Sequence, residues 1–159
     1  MTNITEMRVR NNDAPADVFS VEGPELPLIP PGTYDAKFDY HETARMFGRA
    51  PKLILWFRVM TMGEHFNTKL PRYYNAKAIR SKPRRSGGFA IGRKSAFLRE
   101  YLGLFDRPGL RLDRLSMSEY RDKLFEVSVR TVKRGSHECD IPRRLQYSVI
   151  DEVLRVKQL

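Results

Sequence analysis

Residues 52–61 read Lys-Leu-Ile-Leu-Trp-Phe-Arg-Val-Met-Thr. Leu53, Leu55, Phe57 and Val59 occupy alternate positions, so an extended chain gathers them on one apolar face. The opposite face carries Lys52, Ile54, Trp56, Arg58 and Met60, which sets the only tryptophan of the chain between cations. Two arrangements satisfy that face. Either a neighbouring layer covers it, as in strands buried on both sides, or the indole is a stacking platform flanked by positive charge.

Outward from this strand the same period recurs. From Thr33 to His41, Tyr34, Ala36, Phe38 and Tyr40 alternate with Asp35, Lys37, Asp39 and His41, which predicts a half-buried strand. A polar loop is expected over Glu42–Pro51, carrying Arg45, Phe47 and Arg49. On the other side, Met62-Gly63-Glu64 predicts a tight connection into a third strand over about His65–Asn75, with Pro71 confining it to an edge or a bulge. Ser95 is a good N-cap for a helix through Phe105, whose Phe97, Leu98, Tyr101, Leu102, Leu104 and Phe105 form a core-facing stripe. Ser116 and Glu119 have the spacing of a capping box. Lys123–Lys133 and Gln146–Val156 read as two more strands, although the apolar spacing of the last also admits a short helix. The expected fold is mainly β with one or two short helices, an α+β domain over residues 32–159. A single domain is what 159 residues support.

Charge is distributed unevenly. The chain has 29 Lys and Arg against 19 Asp and Glu, a formal net charge of +10. Ten of the cations lie between positions 69 and 99: Lys69, Arg72, Lys77, Arg80, Lys82, Arg84, Arg85, Arg93, Lys94 and Arg99. That stretch has no acid, and removing it leaves 19 bases against 19 acids. Tyr73, Tyr74, Phe89 and Phe97 are interleaved with the cations. Cations that neutralise phosphates beside rings that stack on bases are the chemistry of single-stranded nucleic-acid binding. The plain alternative is a solvated basic loop. Pro83, Gly87, Gly88 and Gly92 predict that residues 76–92 form a long mobile loop, of the kind that orders on a ligand.

Residues 1–31 contrast with this. Glu6, Asp13, Asp17, Glu22 and Glu25 outnumber Arg8 and Arg10, and prolines interrupt regular structure. The segment is expected to be a flexible arm, either a loosely packed leader or a weak competitor folding back on the basic surface.

Catalytic signals are thin. His41, His65 and His137 are scattered, and His137-Glu138-Cys139-Asp140 lacks the paired spacing of a metal site. No Gly-Lys-Ser/Thr phosphate loop occurs, and Asp35 and Asp39 lack a further carboxylate cluster for metal-dependent nuclease work. Neither a metal nor a cofactor is expected, and the chain reads as non-enzymatic. The lone Cys139 cannot form an internal disulfide, which suits a reducing cytoplasm. No apolar run reaches the ~18 residues of a membrane span, so no membrane partner is expected.

Five strands with a helix between the third and fourth give the element order of the OB-fold, a five-stranded Greek-key barrel. With the segment Pro-Gly-Thr-Tyr-Asp-Ala-Lys-Phe at 31–38, the Trp-bearing strand, Lys69–Tyr74 and Ser95–Phe105, the chain resembles OB-fold single-stranded DNA-binding proteins of phages, plasmids and integrative mobile elements. The resemblance implies a binding face on the second and third strands, made here of Trp56, Arg58, Lys69, Arg72, Tyr73 and Tyr74. It implies flanking loops, one with Arg45, Phe47 and Arg49 and the other with Lys133, Arg134, Arg143 and Arg144. To these the basic stretch adds Lys77, Arg80, Lys82, Arg84, Arg85, Arg93 and Lys94, and the fourth strand adds Arg130. The insertion at 76–94 departs from the family's pattern, and binding through it would displace the strand face. Single-stranded DNA is the expected partner and RNA the second candidate. An acidic protein of a mobile-element replication, conjugation or anti-defence system is the alternative, and self-association is open.

Overall fold

A computed structural model describes residues 16–46, 48–135 and 139–157. The first fifteen residues, Phe47, His137 and Glu138, on which some expectations fell, lie outside them. Among the described residues the fold is mainly β with one α-helix. Five antiparallel strands form the principal sheet: β1 (Gly32–Met46), β2 (Ala50–Val59), β3 (Lys69–Asn75), β6 (Leu124–Val132) and β7 (Tyr147–Lys157). Their order is β3-β2-β1-β6-β7. A two-stranded hairpin, β4 (Ala78–Ile79) and β5 (Phe89–Ala90), and the helix α1 (Ala96–Phe105) lie in sequence between β3 and β6. Among the described residues β3 and β7 lie close together but no ladder joins them, so the expected closed barrel is not formed; α1 packs against both strands. Among the described residues no helix is long and apolar enough to cross a membrane.

The alternation in β2 holds. Leu53, Leu55, Phe57 and Val59 are buried and join Ala36, Phe125, Val127, Val129, Ile150 and Val153 under α1. Phe97, Tyr101 and Phe105 supply the helix's face, and Ser95 caps it by accepting the Leu98 amide. Tyr120 is fully buried among rings, 4.9 Å from Phe105 and 5.4 Å from Phe38. It lies in a 3₁₀ turn at Met117–Tyr120. The capping box expected there is not made: Ser116 accepts the Ser118 amide, and Glu119 faces Arg107 and Lys123.

Several boundaries move. β1 continues to Met46, so most of the loop expected at Glu42–Pro51 is a strand paired with β2. The reason is pairing: Ala44 faces Lys52 and Met46 faces Ala50, and these ladder bonds hold residues with little strand periodicity of their own. His65 to Thr68 form turns, and β3 starts at Lys69. Gln146–Val156 is a strand rather than a helix, bulged twice against β6. Ile29 is buried although the arm was expected to run to residue 31. Its amide donates to Ser148 Oγ, and the Ser148 amide donates to Pro27 O.

One further shift matters for the site. The ladder between β1 and β2 slips at Asp39: Phe38 faces Phe57, but Tyr40 faces Trp56. A single extra residue moves every later side chain to the opposite face. Tyr40 therefore leaves the core face on which the sequence placed it, and His41 and Thr43 turn inward; Thr43 is buried.

Candidate nucleic-acid interface

The outer face of β1, β2 and β3 gathers two rings and two cations. Tyr40 and Trp56 are adjacent, with centroids 6.4 Å apart. Lys69 Nζ donates to the Tyr40 hydroxyl at 2.6 Å and lies 4.3 Å from the Tyr40 ring and 4.9 Å from the Trp56 ring. The Arg85 guanidinium stands over the Tyr40 ring at 3.9 Å. Cations over aromatic faces in this range attract the ring quadrupole. Trp56 Nε1 donates to Glu42 Oε1 at 2.8 Å, which fixes the indole's tilt. The observed Trp56 lies between the two readings of its face: the ring is half-buried, with Tyr40 and Lys69 beside it. Tyr73 is also half-buried on β3, and burial, then Tyr147 and Glu42 nearby, push its phenol pKa up.

The basic segment is not the loose loop that its glycines and prolines predicted. β1 runs beyond its pairing with β6, which leaves one edge open, and residues 84–86 pair with that edge. The Thr43 amide donates to Arg84 O at 3.0 Å and the Ser86 amide donates to His41 O at 2.8 Å. His41 Nε2 donates to Gly87 O at 2.9 Å, and the Arg84 amide donates to Thr43 Oγ1. Gly87 is required there: a Cβ would come within 2.6 Å of Thr43 Oγ1. Lys77 and Arg80 amides close the hairpin onto Ala90 and Gly88 carbonyls. Gly87 thus serves close approach, a role that composition does not carry, whereas a Cβ at Gly92 would meet no atom within 4 Å.

Lys77, Arg80, Lys82, Arg84, Arg85, Arg93 and Lys94 are all exposed, and among the described residues none of them pairs with a carboxylate. The other sequence-expected cations are placed differently. Arg58 pairs with Asp39, Arg130 with Asp151 and Arg134 with Asp140. Lys133 lines a separate cleft with Arg143, beside Pro30 and Pro31, away from Trp56. Arg45 donates to the Arg49 carbonyl.

Arg72 and Tyr74 turn inward, because Arg72 faces Leu55 and Tyr74 faces Leu53 across β3 and β2. Tyr74 is 3 % exposed, with Phe97 edge-on and the Arg72 guanidinium over its ring, so no open face is left for a base. Glu100 of α1 takes both. Burial opposes the Arg72 charge, but Glu100 and Tyr74 outweigh it and raise its pKa. Tyr40 is the participant that sequence reasoning missed. Beyond Asp39 neither face of β1 is clearly apolar, so periodicity carries no sign of the slip.

Comparison with protein-family models, with curated proteins and with solved structures returns no match.

Proposed function

We propose that the chain is a non-enzymatic binder of single-stranded DNA with little sequence preference. One observation carries the reading: the Tyr40–Trp56 pair, crossed by Lys69 and Arg85, borders a strap whose exposed cations have no carboxylate partners among the described residues. Phosphates are captured by Lys77, Arg80, Lys82, Arg84, Arg85, Arg93 and Lys94; one base stacks at Trp56, and a second takes the Tyr40 face once the exposed Arg85 swings from that ring onto a phosphate. Tyr73 edges this face. Tyr74 and Arg72 take no part, and Arg58, Arg130, Lys133 and Arg134 are peripheral. The strand order, with β3 and β7 close together but not laddered and α1 packed on both, supports an OB-like barrel left unclosed along that one seam, and with it the resemblance to single-stranded DNA-binding proteins of mobile elements.

Titration with oligo-dT tests the reading through the fluorescence of Trp56, the sole indole. Quenching that weakens with salt is expected, with a log–log slope near −3.5 if about five phosphates are neutralised. Absence of binding at low salt overturns the proposal. Tighter binding of an equal-length oligo-U would reassign the partner to RNA.

A further inference from the structure

A cleft of about 510 Å³ lies between the β4–β5 hairpin and residues 112–117. Phe89, Ile91, Leu112, Leu115 and Met117 give it an apolar lining, and Arg80 supplies a cation. Asp113 also lines it, but its carboxylate is held by Arg111 at 2.7 Å. The arm offers the complementary chemistry. Val18, Phe19 and Val21 are 60 %, 89 % and 84 % exposed, the densest run of uncovered apolar side chains in the described chain. They are framed by Asp17, Glu22 and Glu25, none of which pairs with a cation among the described residues. Positions 11–31 contain four acids and no Lys or Arg, the mirror of the basic stretch.

We propose that the segment Asp17–Glu22 docks into this cleft on a second copy of the chain, Phe19 entering the apolar lining and Glu22 meeting Arg80. Reach favours the second copy over the same one. The arm is pinned by Ser148 at Pro27 and Ile29, and residues 21–28 share a cleft with Arg143–Gln146 at that end of the sheet. From Pro27, Phe19 extends at most about 28 Å. His41, at the cleft, stands nine residues along β1 from Gly32, about 30 Å of extended strand. A second copy has no such limit, and the contact is head-to-tail. The inference stands whatever the basic face binds.

Sedimentation velocity of the full chain across micromolar concentrations tests it. Reversible association is expected, weakened at least about tenfold by Phe19→Asp or by Leu112→Glu. Both positions are exposed, so folding is not at stake. Phe19→Asp keeps an intact cleft and Leu112→Glu an intact arm. Mixed, the two variants should therefore recover a one-to-one dimer that neither forms alone. A chain that stays monomeric throughout overturns the proposal, and docking within one copy would give that result. Association indifferent to Phe19→Asp, or two variants that fail to complement each other, also overturns it.

Discussion

Glu100 accepts the backbone amide of Val153 at 2.8 Å while holding the Arg72 guanidinium with the same carboxylate group. One helix side chain thereby bridges β7 and β3, the two strands between which no ladder forms. The Tyr74 hydroxyl adds a third bond. The side chains of Arg72 and Glu100 are only 16 % and 10 % exposed, so removing one leaves the other charge poorly solvated. Glu100→Ala should cost about 3–5 kcal/mol of unfolding free energy in urea, and Arg72→Ala a similar amount. The double variant should cost less than the two summed, because the stranded charge is gone.

Alkali should act on buried phenols. Burial, then the Glu100 charge, pushes the pKa of Tyr74 far above its ordinary value, and burial does the same for Tyr120. A pKa raised by folding gives stability that is complete below the unfolded value near 10 and lost as pH rises past it. Phenolate absorbance should show these two rings silent in the folded chain above pH 10, appearing together with the loss of ellipticity. Early, reversible titration of all the tyrosines would contradict their burial.

Gly87→Ala should unhook the strap. The new methyl meets Thr43 Oγ1 and Arg84 at 2.6–3.1 Å, for a cost of roughly 1–3 kcal/mol. Hydrogen exchange at the Thr43 and Ser86 amides should rise well before that of β2. If Arg84 and Arg85 need the strap to face a strand of nucleic acid, affinity for oligo-dT falls in parallel.

The two halves of the proposed interface separate by salt. Replacing Lys77, Lys82, Arg84 and Arg93 with Gln should make the salt slope shallower by about 0.7 for each phosphate that is no longer neutralised, leaving the quenching of Trp56 at saturation. Trp56→Phe should keep the slope and weaken binding modestly. Tyr40→Ala should cost about 1–3 kcal/mol, the range of a stacked base. An unchanged affinity in Tyr40→Ala would remove the strand face from the site.

The legible parts of this fold are those where burial and period coincide. Leu53 to Val59, Phe125 to Val129 and the Phe97–Tyr101–Phe105 stripe announce themselves because each repeats an apolar residue at the spacing of its element. The charge segregation was equally plain, since it needs no structure to count. What escaped reading was set by partners. Thr43 and Arg84 find each other across 41 residues, and no local preference of Gly87 or Pro83 distinguishes a strap from a loose loop. Arg72 and Arg85 look alike in sequence. Pairing register alone sends the first to Glu100 and the second to Tyr40.

The slip at Asp39 makes pairing, and not the parity of residue numbers, decide which side chains meet the solvent beyond it. Tyr40 follows Phe38 directly in the ladder and so lies on the face opposite to it, across from Trp56. Deleting Asp39 would therefore smooth the strand and leave Tyr40 across from Trp56 and Thr43 across from Leu53. Drawing Asp39 into the ladder is the damaging change: Tyr40 would be carried under the sheet, and Thr43, with its hold on Arg84, would turn outward. One residue passed over by its neighbours keeps a ring beside Trp56 and an anchor under the cations.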